Sequence, residues 1–140
     1  MTELNFNTGK RTFSLNGVVE VSFNDTDAEF VGNLFNLFSS LDDRQESYKH
    51  RVERMADKKE IFDLMRELDY EIRDEINSLF EQDVCTPLFG KMNVFALADG
   101  LPLWANLMLA IMEQVDTGFA REQKAMNPRV QKYTSKWQRK

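Results

Sequence analysis

From Asp42 to Gln82 neither proline nor glycine interrupts the chain, and Tyr48, Val52, Met55, Phe62, Met65, Leu68, Ile72, Ile76 and Leu79 recur along it at steps of three, four or seven. That is the period of one helix face, and a strand cannot sustain it over such a length. A chain with this stretch has to be built around long helices. The stretch predicts one helix throughout or two joined near Ala56-Asp57, and Asp57-Lys58-Lys59-Glu60, able to cap a restart, favours a short break there. Its narrow apolar stripe suits a coiled-coil seam or packing within one bundle.

The residues before it obey a different period. From Glu3 to Phe23 apolar and polar positions alternate, as in Leu4 and Phe6, Phe13 and Leu15, then Val19, Val21 and Phe23. Asn7-Thr8-Gly9 and Asn16-Gly17 punctuate the run, and an Asn-Gly pair between alternating segments marks a hairpin turn. A small antiparallel sheet of this kind cannot stand alone, so its apolar face must lie on helices. Thr26-Asp27-Ala28-Glu29 has capping-box spacing, with Thr26 as the cap, and Phe30, Leu34, Phe35, Phe38 and Leu41 predict a first core-facing helix behind it.

Beyond Gln82, Thr86-Pro87 and Phe89-Gly90 predict a loop, Asn93 a cap for a short helix through Ala98, and Asp99-Gly100 its end. Pro102 suits the first position of a further helix from Leu103 to about Ala120, whose apolar residues (Trp104, Leu107, Met108, Leu109, Ile111, Met112, Val115, Phe119) predict a helix enclosed by others. Asn127-Pro128 ends any continuation. The expected fold is therefore α+β and mainly α: an N-terminal antiparallel β-hairpin or meander over about residues 3–23, packed on a bundle of four to five helices.

Charge divides the chain into an acidic body and a basic end. Residues 1–120 carry 11 basic and 22 acidic side chains, and residues 121–140 carry 7 and 1. The expected organisation is one compact acidic domain over 1–120 followed by a basic amphipathic segment over 121–140. In that segment Arg121, Lys124, Arg129, Lys132 and Lys136 alternate with Val130, Tyr133 and Trp137, which makes these eight the candidate partner-binding residues. Three readings compete: docking on the acidic helix of the same chain, binding another acidic protein or subunit, and gripping nucleic-acid phosphates with Trp137 or Tyr133 stacking. The net −11 on residues 1–120 repels a polyanion and ranks nucleic acid last.

Catalytic and metal chemistry have little to build on. His50 is the single histidine and Cys85 the single cysteine, so no internal disulfide, cysteine cluster or histidine pair can form. A buried structural thiol is expected for Cys85, and a reducing cytosol suits it. The acidic group Glu67, Asp69, Glu71, Asp74 and Glu75, interspersed with Arg66 and Arg73, reads as a solvated helix flank. The six glycines are scattered, which rules out a phosphate loop, and no nucleophile elbow occurs. These readings predict no catalytic residue, no metal and no cofactor. Met1 to Lys10 lacks a basic start followed by an apolar run, so no export signal is expected. Leu101 to Val115 contains Pro102, Asn106 and Glu113 and falls short of the roughly 20 residues a membrane span needs. The methionines, Met65, Met92, Met108, Met112 and Met126 among them, serve as core filler or as an adaptable binding surface.

Three segments carry a resemblance to a known family: Phe23-Asn24-Asp25-Thr26-Asp27 leading into Glu29-Phe30-Val31; Leu88-Phe89-Gly90 to Ala96-Leu97-Ala98-Asp99-Gly100-Leu101-Pro102; and Phe119-Ala120-Arg121-Glu122-Gln123-Lys124 to Asn127-Pro128-Arg129. They resemble small proteins encoded in phages and prophages of Gram-positive gut bacteria, the tail assembly chaperones of long-tailed phages, and the likeness covers nearly the whole chain. The resemblance implies a non-catalytic helical protein in the cytoplasm of the bacterial host. It would coat the long apolar tape measure protein, recruit tail tube subunits, self-associate as a homo-oligomer and be absent from the finished virion. A structural head-tail or tail component, and a nucleic-acid-binding phage regulator, are the alternatives from other classes.

Overall fold

In the computed structural model, which describes residues 1–125, 128, 129 and 132, the chain adopts a mainly α, α+β fold with an N-terminal hairpin and four helices among the described residues. Strands β1 (Arg11–Leu15) and β2 (Val19–Phe23) pair antiparallel, with Phe13 opposite Val21 and Leu15 opposite Val19. Asn16 and Gly17 both take positive φ, at 52° and 71°, in the three-residue connection. The alternation read from the sequence becomes two faces: Thr12 and Ser22 share a 2.8 Å hydrogen bond outside, while Val21 and Phe23 are buried inside. Residues 1–10 form no strand, contrary to the expectation that pairing begins near residue 3. Leu4 and Phe6 are 83% and 82% exposed, and without a cross-strand neighbour their alternation has nothing to bury against.

The hairpin's apolar face lies on helices. Phe23 stacks between Phe13 (centroids 4.6 Å apart) and Phe30 (4.2 Å), and Phe80 tilts against Phe23 and Phe30. Helix α1 (Ala28–Glu53) is capped by Asp27, whose side chain accepts from Glu29 N at 3.0 Å. Thr26 is not the cap, because its hydroxyl donates to Asn24 Oδ1 at 2.8 Å, and the Asx turn set by Asn24 leaves the next residue at the helix mouth. The helix runs past Leu41 to Glu53, so it takes in the first part of the long periodic stretch.

The break near Ala56-Asp57 is present. Met55 N closes on Val52 O at 3.0 Å, and the Asp57 side chain then caps α2 (Lys58–Phe80) by accepting from Lys59 N at 2.9 Å. Thr86-Pro87 lie in a helix rather than a loop. Asn77 Oδ1 accepts from Val84 N and Cys85 N at 2.9 and 3.1 Å, and these bonds start the short α3 (Cys85–Phe89), which Gly90 ends at φ 56°. Asn93 caps no helix through Ala98 either. Its Oδ1 accepts from Phe95 N to make a single turn, and the chain passes into a second hairpin, β3 (Leu97–Ala98) with β4 (Leu101–Pro102), turned by Asp99 and Gly100 at φ 55° and 77°. Asp-Gly acts here as a hairpin turn between two short strands.

Helix α4 (Leu103–Lys124) follows, with Pro102 immediately before its first residue. Trp104, Leu107, Met108, Ile111 and Val115 join Leu34, Leu41, Ile72 and Ile76 in the core. The helix is not enclosed on all sides, since Leu109 and Phe119 are exposed. Trp104 packs edge-on against Phe38 and donates from Nε1 to Gln45 Oε1 at 3.1 Å, which fixes α4 against α1.

Candidate partner-binding surfaces

Of the eight candidate residues the structure describes four, Arg121, Lys124, Arg129 and Lys132. Arg121 belongs to the last turns of α4 and folds back onto Asp25, in the link between β2 and α1. Its guanidinium grips that carboxylate from two nitrogens, Nη1 to Oδ2 at 3.0 Å and Nη2 to Oδ1 at 2.7 Å, and Gln114 Nε2 adds a third bond at 3.0 Å. Asp25 is 0% exposed. Arg121's hydrogen bonds, opposed by burial, hold its carboxyl below the usual carboxylate value. Gln114, Gly118 and Arg121 line one face of α4 at helical steps, and glycine in the middle lets the carboxylate reach the helix backbone. Arg121 therefore docks within the chain, but on Asp25 rather than on the acidic helix. Lys124 is exposed at the end of α4, and Arg129 and Lys132 are exposed. Val130, Tyr133, Lys136 and Trp137 lie outside the described residues.

The acidic residues of α2 divide by task. Glu67, Glu71 and Asp74 are exposed, as a solvated flank requires, whereas Glu75 pairs with Arg44 of α1 through both carboxylate oxygens. Asp69 points inward, accepting from Val94 N at 2.8 Å and lying 3.1 Å from Arg73 Nε, which is close enough for an ion pair but lacks hydrogen-bond geometry. Among the described residues no group of three or more His, Cys, Asp or Glu is placed to hold a metal ion.

On the far side of Asp69 the structure opens. A groove of about 700 Å³ runs between α2 and the segment from Gly90 to Ala96. Phe62, Met65, Arg66, Asp69, Tyr70 and Arg73 supply the helical wall, and Gly90, Lys91, Asn93 and Ala96 the other. Phe62 is 57% exposed and Tyr70 71%. The facing segment is pinned in place: Asn93 Nδ2 donates to Met65 O at 3.1 Å, Asp69 holds Val94 N, and Arg73 Nη2 donates to Gly90 O at 2.9 Å. Such a groove can receive an apolar ridge of another protein without first having to order itself.

No protein-family model, curated protein or solved structure matches this chain. Cys85 is buried, and burial pushes its thiol up to about 12, the state of an inert structural cysteine. No helix among the described residues is long and apolar enough to cross a membrane.

Sequence reasoning missed the groove because Phe62 and Met65 sit in the apolar stripe and read as core positions. The available signal was Tyr70, an aromatic residue off the stripe of an otherwise charged helix and one turn from Arg66. Asp25 carried no comparable sign, since its partner is 96 positions away in sequence.

Proposed function

We propose that this chain is a non-catalytic assembly factor, a phage tail assembly chaperone that binds tape measure protein and tail tube subunits in the host cytoplasm. One observation carries the reading: the groove between α2 and residues 90–96 has apolar side chains presented at its surface and walls fixed by hydrogen bonds. A protein that keeps a long apolar helical polymer soluble needs a surface of this kind, ready-made and repeated on every copy. The resemblance of residues 23–31, 88–102 and 119–129 to tail chaperones supplies the partner's identity.

Co-expression with the tape measure protein tests it. The tape measure protein is expected in the soluble fraction and in complex with this chain only when the two are made together, and Phe62→Ser with Tyr70→Ser should return it to the pellet. A truncation probing the basic segment must start after Ala125, because removing Arg121 also strips Asp25 of its partner. If the tape measure protein stays insoluble alongside the wild-type chain, the proposal fails. Retention of this chain in purified particles would then indicate a virion component, and salt-sensitive binding lost with residues 126–140 would indicate a nucleic-acid regulator.

A further inference from the structure

The charge lining the groove runs against the charge of the body around it. Residues 1–120 carry a net −11, yet the groove presents Arg66, Arg73 and Lys91 against one carboxylate, Asp69. That carboxylate is already committed to Val94 N and to Arg73. Arg66 meets Asp63 at 3.6 Å, a weak pair between two exposed side chains, and Lys91 is exposed on the opposite wall. Each wall thus carries a cation beside apolar side chains: Arg66, four residues from both Phe62 and Tyr70 along α2, and Lys91 on the segment opposite. From Phe62 to Arg73 the helical wall extends about 16 Å, enough to lie along three turns of a docked helix.

We infer that this groove binds an acidic amphipathic helical segment of a partner protein, apolar at steps of three and four on the face it buries and carrying carboxylates along both flanks. The inference rests on the proposed role as a binding protein and names the chemistry of its partner. Carboxylates on the flanks reach Arg66 on one wall and Lys91 on the other, while the apolar ridge covers Phe62 and Tyr70. The chain's own segment 126–140 is the wrong ligand. It carries Arg129, Lys132, Lys136, Arg139 and Lys140 and no acidic residue, so it meets the groove with like charge.

Two designed three-turn peptides sharing one Leu/Phe face test this, one flanked by glutamates and the other by lysines, with the peptide 126–140 as a third. Fluorescence anisotropy against the full chain should show the glutamate peptide binding at least about tenfold more tightly than either basic peptide, with amide shifts at Tyr70 and Lys91. Arg66→Glu with Lys91→Glu, both at exposed positions, should leave the circular dichroism spectrum unchanged and remove that preference. Phe62→Ala should weaken the glutamate peptide again. Equal binding of the acidic and basic peptides, preference for a basic one, or no binding of the glutamate peptide would overturn the assignment. Failure of the groove is separable from failure of the chaperone role: a charge-reversed variant that still solubilises the tape measure protein sinks the first alone, and a groove that selects the glutamate peptide in a chain that never solubilises the tape measure protein sinks the second alone.

Discussion

Gly118 and Asp25 meet because one of them has no side chain: a Cβ at residue 118 would lie closer than 3.0 Å to the Asp25 carboxyl carbon and both its oxygens. Gly32, within α1, has nothing within 4 Å of where its Cβ would be. Glycine in a helix interior ordinarily costs about 0.5–1 kcal/mol relative to alanine. Gly32→Ala should therefore stabilise the fold by about that amount, while Gly118→Ala should destabilise it by about 1–3 kcal/mol through overpacking. Urea unfolding of the two variants is expected to move the midpoint in opposite directions.

The Asp25 carboxyl titrates below its ordinary value of 3.8, so its contribution to stability is complete above that value and fades as pH falls through its lower folded value. The stability gap between wild type and Asp25→Asn should accordingly be widest near neutrality and narrow under acid. A gap that widened on acidification would contradict the sign. Arg121→Ala should lower Tm far more than Lys124→Ala, because it leaves a buried carboxylate held by Gln114 alone.

Arg44 and Glu75 tie α1 to α2 from positions about one-third exposed. Water and salt screen such a pair, so Glu75→Gln should cost no more than about 1 kcal/mol, and the loss should shrink as ionic strength rises. Chemical denaturation at low and high salt measures both.

Cys85, with its thiol pushed up to about 12 and its side chain sealed in the core, should not react with a thiol reagent in the folded protein at neutral pH. Full labelling is expected once guanidinium unfolds the chain. The labelling rate then reports opening of the region where α2 meets α3.

Local chemistry explains which elements could be read from sequence. The β1–β2 hairpin and the restart at Asp57 were legible because each depends on neighbours within a few residues: Asn16-Gly17 supplies the two positive φ angles, and Asp57 caps the amide of Lys59. The turn at Asn93 was misread because its signal is ambiguous until the tertiary partner is known. An asparagine that holds the amide two residues on begins a helix or a single turn equally well, and Asp69, which takes Val94 N, decides between them. Leu4 and Phe6 have a strand's alternation but no strand beside them. At Arg121 the charge was visible in the sequence while its partner, Asp25, was not.

The Asp25–Arg121 bond spans 96 positions, so it can form only after nearly all the described chain has been made. At a synthesis rate of about 5–20 residues per second, the carboxylate waits roughly 5–20 s for its guanidinium. During that wait the Asp25 carboxylate lacks the two hydrogen bonds that Arg121 will donate. A chain released before Arg121 would leave the buried Asp25 carboxylate without its guanidinium partner.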